Sequence, residues 1–473
     1  MERKQTIIFF LMAAVIITGQ SIAPNFWGLF ENNKHVEKAS LSAGSNNNIV
    51  PIQLSSSGSS SNGNTFQVLP DPAPPSISDP SIRVEKVITG LEMPTSMAFL
   101  DNDDIIITQK DNGRVRLVSN GVLQPQPILQ VPVVNNSERG LLGVAIANAT
   151  TTDSNSKTVF LYYTEPVGEQ VRNRVYKYEW TGTGNMTGGQ LILDLPGEPG
   201  PNHDGGKIAI GPDRMLYAVI GDLNRDGMLQ NVMDGPPPDD TSVILRIDYN
   251  GNGIGNPLSA IGVDLSKYYA YGIRNSFGFD FDPLTGILWD VEDGPAEYDE
   301  INIVLPGFNS GWGKAMGPIS RETITVEDLV HFEGSHYADP VFSWLPSEGV
   351  TDVEIFNSSS LGERYTYNMF VGDINNGHLY FFTINGNRTG LDLGGIPGLE
   401  DLVADTNEEL NPVILGRGFT GGITDIETGP DGNLYILTLS GNLYRLVQGV
   451  PPSSQQPPSS QQPPSSQQPP PIL

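Results

Sequence analysis

Residues 200–210 read GPNHDGGKIAI. The chain has only five histidines, and His203 lies here between Asn202 and Asp204, ahead of two glycines, Lys207 and an apolar run. Three chemistries suit such a string: a plain turn, a glycine-rich anion loop closed by the lysine, or an imidazole base at the mouth of a site. The anion loop fails on spacing. Gly205-Gly206-Lys207 lacks the phosphate-loop pattern and leads into a strand, so no helix N-terminus would face a phosphate.

Other chemically suggestive strings are weaker. Asp222-Leu-Asn224-Arg-Asp226-Gly227 opens like a calcium loop but has Met233 where a bidentate glutamate is needed, and it reads as a tight turn. Asp248-Tyr-Asn250-Gly-Asn252-Gly253 fails in the same way, with Ser259. His331 and His336 are five apart in a loop-like stretch, a poor frame for zinc, and no HExxH motif is present.

Whatever His203 does, strands must position it. The segments 97–118, 208–222, 279–294 and 423–447 share one plan: an apolar strand, a turn built on Asp with Gly, Pro or Asn, then a second apolar strand ending at polar residues. Segments 141–180 and 350–384 repeat it less clearly. Repeated sheets that cannot bury both faces alone stack radially, so the pattern predicts an all-β fold, a six-bladed β-propeller of four-stranded antiparallel blades. The alternative is an array of β-sandwiches. In a propeller the loops joining repeats converge at one end of the central channel, and His203 stands on such a loop.

Composition agrees. The 473 residues include 53 Gly and 38 Pro, a turn-dense balance. With 26 basic against 54 acidic residues the net charge is −28, which repels phosphate backbones and argues against a nucleic-acid partner. Cysteine is absent, which excludes disulfides, cysteine-ligated metals and thiol catalysis.

The ends differ from the middle. Arg3 and Lys4 precede the apolar run Thr6–Gly19, so residues 1–25 read as a signal peptide or an uncleaved N-terminal anchor, the only predicted route to a membrane. Either places the body outside the cytoplasm, secreted or held at the cell surface. Residues 26–80 read as a disordered Ser/Asn/Pro-rich linker, 81–448 as the propeller, and 449–473, with PPSSQQ in triplicate, as a low-complexity tail.

Residues 271–313 contain, in order, Arg274-Asn275, Gly294-Pro295, Asp299-Glu-Ile-Asn302 and Asn309-Ser-Gly-Trp312. With Glu138-Arg-Gly-Leu-Leu-Gly143 and Asn202-His203-x-Gly-Gly, this order closely resembles the soluble pyrroloquinoline-quinone (PQQ)-dependent glucose and aldose dehydrogenases, the glucose/sorbosone dehydrogenase family. The resemblance spans about residues 85–447. It implies a six-bladed propeller, a sugar or other alcohol as substrate, an external electron acceptor, and PQQ and Ca²⁺ as cofactors.

By that resemblance His203 is the general base. Arg274 and Asn275 hold the quinone oxygens, Trp344 packs over the cofactor plane, and Glu138, Gln230 and Asp425 line the same cleft. Gly294 and Pro295 offer carbonyls to the cofactor's calcium, and Glu300 with the backbone of Ser310 matches a second calcium site.

The departures concern charge. Asn202 stands where an aspartate is common, Glu138 where the family has glutamine, and Ser310 where it has tyrosine. Asn375, Gly422 and Thr424 occupy the positions of a lysine and two arginines expected to hold the tricarboxylate cofactor. Two functions follow: a PQQ-dependent oxidoreductase, or a non-catalytic, calcium-stabilised propeller binding a glycan or a protein at the cell surface.

Overall fold

The computed structural model describes residues 73–148, 156–255 and 257–449. The signal or anchor, nearly all of the linker, and the tail beyond residue 449 lie outside them. Among the described residues the regular structure is almost all strand, joined by long turns and loops, with one short α-helix, Asn407–Leu410, and a few single 3-10 turns.

The predicted Asp-based turns form as chemistry dictates. In the hairpin joining Ile208–Ile210 to Leu216–Ile220, Asp213 Oδ1 accepts from Met215 N at 3.1 Å. In that joining Ser276–Phe281 to Leu288–Glu292, Asp282 Oδ1 accepts from Leu284 N at 2.9 Å. In the hairpin after Ile423–Thr428, Asp431 Oδ1 accepts from Asn433 N at 3.0 Å. Each carboxylate satisfies a turn amide that strand pairing leaves free.

These hairpins build six sheets. Their first strands pack in sequence: Pro94–Phe99 on Leu141–Asn148, that on Ile208–Ile210, then Ser276–Phe281 on Val350–Ile355, and that on Ile423–Thr428, which returns to Pro94–Phe99. Leu216–Ile220 makes the remaining junction with Ser276–Phe281. The apolar core is divided accordingly, with one cluster of buried side chains between each pair of successive sheets. The arrangement is an all-β, propeller-like ring. Ile82–Ile88 pairs antiparallel with Asn442–Gln448, so strands from the two ends of the fold share one sheet and lock the ring shut.

Buried carboxylates bind one inner strand to the next. Asp280 Oδ2 accepts from Ile355 N at 2.8 Å, Asp352 Oδ2 from Ile426 N at 2.7 Å, and Asp425 Oδ2 from Met97 N at 2.6 Å. Charge-assisted bonds of this kind satisfy inner-strand amides that face the axis rather than a ladder partner.

Two expectations need correction. Uniform four-stranded antiparallel blades are not found: two sheets have four strands, two have five and two have six. The additions are short edge strands, and those of Phe308–Asn309, His336–Tyr337 and Val403–Ala404 pair parallel because they arrive on long excursions instead of tight hairpins. The end of the predicted linker is also ordered. Ser76–Ile77 pairs with Gly416–Arg417, and Asp79 accepts from the Tyr365 hydroxyl at 2.6 Å. A lone isoleucine in polar sequence gives too weak a pattern to announce this.

Candidate active site

The loops that enter the inner strands carry Glu138, His203, Arg274 and Asn275, and those that follow the second strands carry Asp222 and Asp293. Two glycines let them meet. At Gly205 (φ +63°) a Cβ would lie 2.7 Å from the Val219 carbonyl oxygen. At Gly221 it would lie 2.3 Å from the Arg274 carbonyl oxygen and 2.6 Å from that of His203. Only glycine allows the His203 and Arg274 loops to converge on Asp222.

His203 is buried in a left-handed conformation, φ 63°. Its Nδ1 lies 2.5 Å from Asp222 Oδ1. Trp312 Nε1 donates to Asp222 Oδ2 at 2.8 Å, and Asn224 N donates to Oδ1, also at 2.8 Å. Burial pushes the Asp222 carboxyl up, but the His203 bond and charge, with the Trp312 and Asn224 donors, outweigh it and hold it below the usual carboxylate range. An ionised Asp222 keeps the imidazole proton on Nδ1 and leaves Nε2 as the basic lone pair. Asn224 Nδ2 is the polar atom beside Nε2, at 3.5 Å.

Asn202 does not orient the imidazole. Its side chain accepts from Ser137 Oγ, and its amide donates to Asn224 Oδ1 at 3.2 Å. The carboxylate on the imidazole comes from the next loop instead, so an asparagine at position 202 leaves His203 with an acidic partner.

Glu138 ties the His203 loop to the Arg–Asn pair. Its Oε2 accepts from His203 N at 2.7 Å and from Asn275 Nδ2 at 3.1 Å. Burial pushes its carboxyl above the usual range, against the pull of His203, Asn275 and Arg274. Arg274 donates from Nη1 to the Asp293 carbonyl at 2.7 Å, lies 3.5 Å from the Asp293 carboxylate, and stacks 5.2 Å above the Trp312 ring. Asn275 Oδ1 is buried without a hydrogen-bond partner. The same holds for Gln230 Oε1, whose backbone carbonyl lies beside Gly313. Beyond Trp312, Pro295, Tyr298, Gly313 and Lys314 help to line a cavity of about 180 Å³.

The positions predicted to hold metal form a second group. Gly294 N donates to Asp299 Oδ1 at 2.9 Å, and a Cβ there would fall 2.0 Å from the Tyr298 carbonyl oxygen. Glu300 is buried, accepts from Gly317 N and from Asn302 Nδ2 at 3.0 Å, and is pushed well up by burial and by Glu292. Ser310 Oγ donates to Glu292 Oε2 at 2.6 Å. Glu292 pairs across the ladder with Glu300, and buried Asp290 stands two residues along the same strand with Oδ2 unpartnered. Stacked carboxylates of this kind are costly without a cation.

Two predicted site residues are not brought in. Trp344 is fully buried in a sheet core, edge-on to Phe342 at 4.8 Å and to Tyr380 at 5.3 Å, and has no face to offer a cofactor. In Phe342-Ser-Trp344 the alternation of a strand puts both aromatics on the packed face. Trp312 is the tryptophan at the site. Asp425 instead binds Lys207 at 2.8 Å between inner strands, where Lys207 also reaches Asp352 at 2.9 Å.

Asp222, Trp312 and Glu292 escaped the sequence reading. A signal for Asp222 existed in the repeats: VIGD (219–222), DVED (290–293) and FVGD (370–373) each place an aspartate at or just past the end of a second strand. The third supplies Asp373, which with Glu348 and His378 forms the set of metal-capable side chains lying within 4.8 Å of one another among the described residues. Asp373 is committed to Asn376 N, Gly377 N and the Tyr380 hydroxyl, and His378 Nε2 to Arg417.

The fold and this grouping define a propeller-like protein whose loop end carries an Asp-bound histidine beside an Arg–Asn pair. The family model described as Glucose / Sorbosone dehydrogenase matches residues 91–445, and the chain belongs to that family of PQQ-dependent sugar oxidoreductases. It is 28% identical to an uncharacterized protein of Synechocystis over 78% of this chain and 87% of that one. It is 26% identical to the aldose sugar dehydrogenase YliI of Escherichia coli over 77% of this chain and 93% of that one. The crystal structure of the E. coli aldose sugar dehydrogenase in its apo form superposes with a TM-score of 0.60 at 24% identity, covering 78% of this chain and all (100%) of that one. The PQQ-bound aldose sugar dehydrogenase of Streptomyces coelicolor, 22% identical, shares the fold with a TM-score of 0.56 over 78% of this chain and 98% of that one.

Proposed function

We propose that this protein is a six-bladed, extracytoplasmic PQQ-dependent dehydrogenase that oxidises a hydroxyl of a sugar or other alcohol and passes the electrons to an external acceptor. One observation carries the reading: the buried His203–Asp222 pair, with its Nε2 edge left basic, beside Arg274 and Asn275. The charged N-terminus and apolar run support the location.

The quinone edge of the cofactor fits these residues. Arg274 supplies positive charge and N–H donors to that edge, and the Asn275 carboxamide brings Nδ2, which also donates to Glu138 Oε2 at 3.1 Å. The carboxylate edge finds less, because positions 375, 422 and 424 are uncharged and Lys207 is engaged by Asp352 and Asp425. Gly294 and Pro295 are suited to hold the cofactor's Ca²⁺ by carbonyls, and Glu300, Glu292 and Ser310 to hold a structural one.

In the reaction His203 Nε2 accepts the proton of the substrate hydroxyl, and Asp222 stabilises the imidazolium that results. Arg274 and Asn275 hold donors where negative charge develops. When bound, PQQ supplies the acceptor for the hydride leaving the carbinol carbon. Reconstitution of the purified protein with PQQ and Ca²⁺, assayed on aldoses with a dye acceptor, is expected to give turnover that His203→Ala abolishes. Absence of both turnover and calorimetric binding contradicts the proposal. The uncharged residues at 375, 422 and 424 favour a second reading, a calcium-stabilised propeller that binds a glycan or a protein, in which His203→Ala leaves binding unchanged.

A further inference from the structure

The position of Glu138 carries a consequence for how an anion enters this site. A single oxygen, Oε2, receives both the His203 amide and the Asn275 carboxamide, so the carboxylate sits at the junction of the two loops that a ligand must touch. Glu138 is 3% exposed. The charged groups facing it are His203 and Asp204 from one loop, Arg274 from a second and Asp293 from a third. Arg274 is engaged by Asp293, and Arg139 lies 3.9 Å from the Asp204 carboxylate. Each cation near Glu138 therefore already faces a carboxylate of its own. A multiply charged anion docking here adds like charge to a buried carboxylate that has no cation to spare, and the response that costs least is protonation of that carboxylate.

We infer that Glu138 takes up a proton when an anionic cofactor docks against His203 and Asn275, so that a proton stands in for part of the missing cationic clamp. This rests on the quinone reading above. A neutral Glu138 keeps its carbonyl oxygen as acceptor for both N–H groups, so the two loops remain tied while the negative charge is removed. Linkage then fixes the sign. Proton uptake on binding means that affinity falls as pH rises, by roughly tenfold per unit above the Glu138 transition for one proton.

The experiment uses the full chain with Ca²⁺ and PQQ as probe. Calorimetry in buffers of different ionisation enthalpy counts the protons taken up, and the Kd is followed from pH 5 to pH 8. The expected result is uptake of about one proton and a Kd that weakens with pH in the wild type but is flat in Glu138→Gln, which keeps the acceptor and loses the titration. Zero protons in the wild type overturns the inference whether or not the variant folds, and so does an unchanged slope in a folded variant. No binding at any pH overturns the quinone reading as well, whereas pH-independent binding overturns only the role of Glu138.

Discussion

Two histidine–aspartate pairs occupy comparable loops of this ring, and they are used differently. At the active site His203 Nδ1 is 2.5 Å from Asp222, whose carboxylate is held ionised by the imidazole and by Trp312 and Asn224. In the fifth sheet along the chain, His378 Nδ1 is 3.6 Å from Asp373. There Arg417 donates to His378 Nε2 at 3.0 Å, the edge beside which His203 has the uncharged Asn224 carboxamide at 3.5 Å. Burial and Arg417 push His378 down to about 4, and burial pushes Asp373 up to about 8 despite the Asn376 and Tyr380 donors. The residue types are the same, but one pair has the geometry of the base we propose and the other is a loop clamp. What separates them is the partner on the far nitrogen and the donors on the carboxylate.

Substitutions that break the first pair should have the largest effects. Asp222→Asn removes the charge that fixes the imidazole proton on Nδ1, and kcat is expected to fall by about 10²–10⁴-fold with near-native circular dichroism. Trp312→Phe keeps the ring beneath Arg274 but deletes one donor to Asp222. A loss of about tenfold in kcat is expected, as for a charge-assisted hydrogen bond worth about 1.5 kcal/mol. The second pair should show itself in stability, not rate. The folded value of Asp373, about 8, is raised above the ordinary 3.8, so its stabilising contribution is present below pH 4 and is lost as pH climbs through 8. Asp373→Asn should therefore lower the melting temperature at pH 5 and flatten its decline toward pH 8, as read by differential scanning calorimetry. The smallest effect is expected of His378→Gln, with kcat/KM within about twofold of wild type because Arg417 keeps that nitrogen from any substrate.

The same contrast marks what the sequence could disclose. Hairpins were legible because Asp213, Asp282 and Asp431 act on their own neighbours, and a local rule suffices to predict them. His203, Arg274, Asn275 and Glu138 were legible as ordered blocks, and the structure brings all four together. The spacing makes Asp222 a turn residue, and it is one, since Asn224 N binds its Oδ1. Its second role depends on a loop nineteen residues away, and no local spacing encodes that. Trp344 and Asp425 failed for the opposite reason. Each fits a family position, but burial against Tyr380 in one case and the ion pair with Lys207 in the other is set by packing between sheets. The extra edge strands escaped notice because two-residue strands lack a period.

The central claim is that Asp222 holds the proton of His203 on Nδ1 and leaves Nε2 basic. ¹⁵N NMR of the histidine side chains at pH 8, with His203 assigned by its loss in His203→Gln, tests this directly. The account predicts a neutral ring protonated at Nδ1 in the wild type, with that preference lost in Asp222→Asn. A wild-type His203 carrying its proton on Nε2 would contradict it.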